Sequence, residues 1–163
     1  MSEKPAKATA ASEITLTSLM LPQHANALGH VHGGVIMKMV DETAAISAMR
    51  HAQRPCVTVA IDSMTFKERV EVGELLSCTA RVNYVGRSSL EVGVKVSSEN
   101  PITGETTHTN SAYLVFVALG EDDRPCEVPG LILESSDDRR RHEAAKGRQD
   151  HRLQRRREAT PRG

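Results

Sequence analysis

The segment that most restricts this chain is residues 33–51, GGVIMKMVDETAAISAMRH. Two glycines open a stretch that is apolar on nearly every helical face, and nothing breaks it before Pro55. At ~1.5 Å per residue such a helix runs roughly 28 Å, about the length of an eight-residue strand. Ala44, Ala45 and Ala48 would let it approach a sheet closely. Around it the pattern is extended. Ile14-Thr15-Leu16-Thr17 alternates, as do residues 56–66 through Val57, Val59 and Ile61. Residues 75–84 place Leu76, Cys78, Ala80, Val82 and Tyr84 on one face, and Leu90, Val92, Val94 and Val96 follow after Gly86-Arg87-Ser88. Asn100-Pro101-Ile102-Thr103-Gly104 is a turn. AYLVFVAL, 112–119, is continuously apolar, as in a strand covered on both sides. The order β-α-β-β-β-β predicts an α+β domain, with a five-stranded antiparallel sheet wrapped around one long helix. A single helix covers only one sheet face, so an edge or the outer face is left for a second subunit.

The chain has 163 residues, enough for one core. Aromatic residues are only 2% and Trp is absent, so the core is aliphatic and base stacking on single-stranded nucleic acid is disfavoured. Net charge is zero, yet ten Lys/Arg and six Asp/Glu fall from Glu134 onward, which reads as a charged tail over 134–163 with a polar helix interrupted at Gly147. Residues 1–12 read as disordered, leaving a domain over 13–133. Cys56, Cys78 and Cys126 have no CxxC spacing, which favours a reducing compartment. No apolar run suits a signal peptide or a membrane span. A cytoplasmic protein without membrane or nucleic-acid partners is the expectation.

Asp41 sits within the apolar helix, on a stripe with Met37, Ala44 and Ala48. A carboxylate on such a face has either a structural partner or a chemical task. Gly33 and Gly34 open the helix, where free N–H groups favour negative charge; their ordinary reading is a tight turn. Asn26, in the preceding loop, has an amide that donates and accepts, though Asn is commonest as a turn residue. His30 and His32 form H-x-H without a third ligand at metal-site spacing, so a helix-start or interface role is expected of them and no metal. Arg87 and Ser88 stand at a hairpin tip, and Lys67 and Arg69 follow the strand after the helix. A guanidinium there suits phosphate; the plainer reading is an exposed turn.

The segment NALGHVHGGVIMKMVDETAA, followed in order by CVTVAIDSMTFKERVEVGE, VNYVGRSSLEVGVKVSSEN and TGETTHTNSAYLVFVAL, resembles the hotdog-fold acyl-CoA thioesterases. It is most like the cytosolic acyl-CoA hydrolases and their short bacterial relatives. The resemblance covers residues 13–133. It implies hydrolysis of acyl-CoA to free acid and coenzyme A, with no cofactor. Asn26 of one subunit would face Asp41 of its partner. Asp41 would be general base or nucleophile, and Gly33 or Gly34 would offer an oxyanion N–H. Arg87, with Ser88 and more weakly Lys67, would lie near the coenzyme A phosphates. The assembly implied is a hexamer, a trimer of dimers. Two alternatives remain at this point: an acyl-thioester hydratase or dehydratase, and a non-enzymatic acyl-CoA sensor.

Overall fold

The computed structural model describes residues 5–160. Its elements are β1 (Lys7–Ala8), β2 (Ile14–Leu19), α1 (Gly33–Ala52), β3 (Cys56–Ile61), β4 (Leu75–Val85), β5 (Ser89–Glu99), β6 (Thr106–Ala118), β7 (Leu131–Ile132) and α2 (Ser136–Ala159). Five strands form one antiparallel sheet in the order β2-β4-β5-β6-β3, so β2 and β3 are its edges.

The inner face of the sheet closes on α1. Leu76, Cys78, Ala80 and Val82 of β4, Leu90, Val92, Val94 and Val96 of β5, and Ala112, Leu114 and Phe116 of β6 are buried there. Ala44 and Ala48 of α1 are fully buried against them, and small side chains allow that close approach. This is the expected α+β sheet around a single long helix. Val117 and Tyr113 are half-buried, and Val115 is buried, so the apolar run in β6 is indeed covered on both sides.

Four local expectations are corrected. Tyr84 does not continue the inward row. A bulge at Asn83 inserts one residue opposite β5, which turns Tyr84 toward α2, where its ring lies 5.3 Å from that of His142. The strand expected over residues 56–66 ends at Ile61, and its alternating Val57, Val59 and Ile61 are 43%, 55% and 42% exposed. Residues 7–12 are ordered: β1 pairs in parallel with β7, and Thr9–Ser12 form a 3-10 turn whose Ser12 Oγ takes the Val82 N–H at 3.0 Å. Residues 1–4 of the segment read as disordered lie outside the described residues. Finally, α2 runs unbroken through Gly147.

Continuity in α2 has a visible cause. Serine 135 caps its start: Ser135 Oγ takes the Asp138 N–H, and Asp138 Oδ2 takes the Ser135 N–H. The helix is then anchored to the outer sheet face by ion pairs at three levels. Arg81 of β4 reaches Asp138 at 3.0 Å. Arg148 and Arg152 both grip Glu91 of β5, at 2.7 and 2.9 Å. Arg152 also holds Asp62 at 2.9 Å. The Arg148 guanidinium lies 3.6 Å above the centre of the Tyr113 ring, a cation–π contact. A mid-helix glycine costs about 1 kcal/mol against alanine, and these contacts outweigh it.

Candidate active site

The loop before α1 is built around Asn26. Its Oδ1 accepts the N–H groups of Leu28, at 2.9 Å, and His30, at 3.2 Å. Gly29 allows the turn at φ +81°. The Asn26 carbonyl is therefore committed to the loop, which points its Nδ2 amide away as a donor; that amide has no partner among the described residues. The turn role thus leaves the amide end of the same side chain available to donate.

His32 caps α1. Its Nδ1 accepts the Gly34 N–H at 2.8 Å. His30 lies between Glu71, 3.0 Å from Nδ1, and Arg69, 3.2 Å from Nε2, and fastens the loop to residues 69–71. Both histidines thus serve the helix start. Arg69 is taken up by this contact. The cap has a consequence for the two glycines. Gly34 spends its N–H on His32, so it is removed as an oxyanion donor. The Gly33 N–H, at the first position of the helix, keeps no partner among the described residues, and the rim of the Phe66 ring lies 3.5 Å from where a Gly33 Cβ would stand.

Asp41 lies two turns further along α1 and is half-buried. Its Oδ1 accepts the Thr58 hydroxyl of β3 at 2.7 Å. One carboxylate oxygen is thereby oriented, and Oδ2 has no partner among the described residues. Thr58 escaped the sequence reading. Its only signal was a hydroxyl between Val57 and Val59 in an edge strand, which is ordinary for a solvent-facing position. A register shift between Thr58 and Ala60 bends β3 beside the carboxylate, and bulges of this kind re-aim side chains.

The two halves do not meet within one chain. Eight helical residues separate Gly33 from Asp41, roughly 12 Å along the axis, and no hydrogen bond joins the Asn26 loop to Asp41 or Thr58. The Asp41 half instead sits at the open β3 edge, flanked by exposed Val57, Val59 and Ile61.

Arg87 is exposed in the tight connection between β4 and β5, with Ser88 half-buried beside it. The backbone there is fixed from outside: the Arg87 carbonyl accepts from Val128 N–H at 3.0 Å and that of Ser88 from Ala118 N–H at 3.0 Å. The Arg87 side chain has no partner among the described residues, and Lys67 is likewise exposed. Lys67 lines a separate polar cavity of about 310 Å³ with His108 and Asn110.

A family model described as the thioesterase superfamily matches residues 28–105. An uncharacterized acyl-CoA thioester hydrolase of Bacillus subtilis, YkhA, is 34% identical over 90% of this chain and 85% of its own length. An apo hexameric acyl-CoA thioesterase superposes with TM-score 0.88 at 37% identity, covering 92% of this chain and 97% of that one. The acyl-CoA hydrolase of Staphylococcus aureus, solved with butyryl coenzyme A, coenzyme A and coenzyme A disulfide, superposes with TM-score 0.88 at 33% identity, covering 95% and 94%.

Proposed function

Since the chain belongs to the thioesterase superfamily, we propose that its site is assembled between two copies, with the Asn26 loop and Gly33 of one facing Asp41 and Thr58 of the other. The protein is an acyl-CoA thioester hydrolase: acyl-CoA and water give a carboxylic acid and coenzyme A. Neither a hydratase nor a sensor has support over hydrolysis. The observation that carries the shared site is the separation just described. The base half is complete and oriented, the donor half is complete and oriented, and a single chain holds them apart.

In this reading Asp41 Oδ2 takes a proton from the attacking water while Thr58 holds Oδ1, so the carboxylate faces one way. The oxyanion that forms at the thioester carbon is met by the Gly33 N–H and the Asn26 Nδ2 amide. Both are fixed before substrate arrives, which is what makes such donors effective. The intermediate collapses with cleavage of the C–S bond, and coenzyme A leaves as the thiol, taking the proton held on Asp41. A thioester is already activated, so no cofactor is required. Three variants of the Staphylococcus aureus hydrolase have been solved, with alanine replacing an asparagine, an aspartate and a threonine. The asparagine precedes the aspartate by 15 positions and the threonine follows it by 17. Asn26, Asp41 and Thr58 have the same two intervals, which supports assigning all three to one site.

The exposed apolar edge of β3 supports pairing of two copies, because an unprotected edge strand recruits another strand. Structural neighbours are described as hexameric, and a trimer of dimers is the assembly proposed here. Arg87 and Ser88 are placed at the phosphates of coenzyme A, with Lys67 the more distant candidate. No helix among the described residues is long and apolar enough to cross a membrane. Relatives in rat, mouse and human are named cytosolic hydrolases, although this chain spans only 36–37% of their length; a cytoplasmic location follows as a proposal.

Complementation tests the shared site. Asn26→Ala and Asp41→Asn are each expected to be inactive alone. After co-refolding, mixed dimers contain one intact site, and thiol release from acyl-CoA should return. Demonstrated subunit exchange without returning activity would show that the site lies within one chain.

A further inference from the structure

A second polar depression lies on the opposite face of the sheet, beneath the first half of α2. Three features of the sequence build it. Arg81, Gly93 and Tyr113 are cross-strand neighbours on β4, β5 and β6, and the missing side chain of Gly93 lowers the floor between the other two. The bulge at Asn83 turns its amide over that floor: a Cβ on Gly93 would stand 2.5 Å from Asn83 Nδ2. Arg140 and Arg141 then close the space from α2. The result is a cavity of about 250 Å³.

Its chemistry is one-sided. Arg81, Lys95, Arg140 and Arg141 line it against a single carboxylate, Glu13. Some of this charge is compensated. Arg81 gives Nε to Glu13 at 2.8 Å and Nη1 to Asp138 at 3.0 Å, and Asp137 pairs with Arg140 and, at 2.9 Å, with Arg141. Lys95 has no partner among the described residues, and Arg81 Nη2 has none either. Asn83 is only 6% exposed, yet its side-chain amide makes no hydrogen bond among the described residues. The amide opens on the cavity, where a ligand can reach it. An unbonded amide facing converging cations is the arrangement a bound anion would complete.

We propose that this cavity binds a compact anion carrying one or two phosphate groups, held by Arg81, Asn83, Lys95 and the Arg140–Arg141 pair. Guanidinium forks favour phosphate and carboxylate alike; Glu13, Asp137 and Asp138 already offset most of the lining charge, and Lys95 carries the part left uncompensated. Drug-sized sites occupy roughly 300–1,000 Å³, so the volume selects a small ligand rather than a whole coenzyme. Such a ligand bridges sheet and helix, and binding only the docked arrangement, it stabilises α2 by mass action. The site is independent of thioester hydrolysis.

Pyrophosphate is the probe, titrated into the whole protein by calorimetry and by thermal melting at constant ionic strength set with potassium chloride. Saturable binding and a rising Tm are expected. Lys95→Ala, an exposed position outside the thioesterase machinery, should weaken binding of order tenfold and leave acyl-CoA turnover unchanged. Asn83→Asp should abolish binding by placing a carboxylate against the anion. Arg87→Ala should leave the pyrophosphate effect intact. The proposal is overturned if pyrophosphate does nothing beyond matched chloride, or if Lys95→Ala binds as tightly as the parent. It is equally overturned if the effect disappears with Arg87, since the phosphate would then be occupying the coenzyme A end of the thioesterase site. Should Asn83→Asp fail to fold, Lys95→Ala and Arg87→Ala decide the matter.

Discussion

The two faces of the sheet are held by opposite means. On the inner face α1 meets β4, β5 and β6 through alanine and aliphatic side chains, and shape governs the contact. On the outer face α2 is held by ion pairs, with Glu91, 1% exposed, gripped by two arginines. Aliphatic contact is non-directional and tolerates small shifts, whereas a buried carboxylate needs its partners in place. Chemistry divides in the same way. The groups proposed for thioester hydrolysis belong to α1, its preceding loop and the β3 edge, while the outer face carries charge that the proposed chemistry does not use.

The strongest way to break that division is at Asp41. Asp41→Asn keeps shape and removes the proposed base, so turnover should fall by about 10²–10⁴-fold with an unchanged circular dichroism spectrum. Activity within a few-fold of the parent in a thiol-release assay would take Asp41 out of the mechanism. Glu91→Gln probes the other face. It removes the buried carboxylate shared by Arg148 and Arg152, leaving Arg152 its pair with Asp62, and breaking a buried pair costs about 3–5 kcal/mol. Both arginines keep some solvent contact, so about 2–4 kcal/mol is expected here. Urea unfolding should show this loss, while kcat of the folded enzyme stays near the parent value. A large fall in kcat at full stability would mean that the outer face communicates with the site.

Arg87 stands at the rim between the faces and sharpens the comparison. Arg87→Ala should raise KM of order tenfold with little change in kcat, as for a contact equal in ground and transition states, because a charge-assisted hydrogen bond contributes about 1.5–3 kcal/mol. The effect should shrink with acyl-pantetheine; equal losses on both substrates would place Arg87 in folding or assembly. The smallest effect concerns His51, buried at the end of α1. Its Nε2 is 2.8 Å from the Pro129 carbonyl, and its Nδ1 is buried without a hydrogen-bond partner among the described residues. Burial lowers its pKa; the Pro129 carbonyl opposes this and nearby Lys7 adds to it. The unfolded chain takes up this proton near pH 6.5, the folded one only at lower pH. The stability it contributes is complete above about pH 6.5 and is lost as pH falls through the folded-state value. His51→Gln should flatten the slope of stability against pH below 6.5; an unaltered slope would assign it to other groups.

The inner face was legible because alternation and helical periodicity are local. Leu76, Cys78, Ala80 and Val82 could be assigned from spacing alone, and Gly33 from its place before an apolar run. Asp41 stood out because a carboxylate interrupts that run. What stayed hidden depends on residues distant in the chain. Nothing adjacent to Glu91 reveals Arg148 or Arg152, and a single threonine in an edge strand does not announce an aspartate seventeen residues earlier. The bulge at Asn83 is invisible to a period of two, so Tyr84 was assigned to the wrong face. Gly147 was read by propensity, a weak local term that anchoring at both ends of α2 overrides. Residues 7–12 lack the apolar pattern of a strand, and their order depends on β7.

That last pairing has a consequence for synthesis. Lys7 and Ala8 find their partners only at Leu131 and Ile132, roughly 120 residues later. At about 5–20 residues per second the ribosome needs some 6–25 s to deliver them. Throughout that interval Lys7 and Ala8 have no strand to join, whereas the Ser12 hydroxyl waits only for Val82, 70 residues on. The β1–β7 clip is thus a late step of folding on the ribosome, followed by the docking of α2.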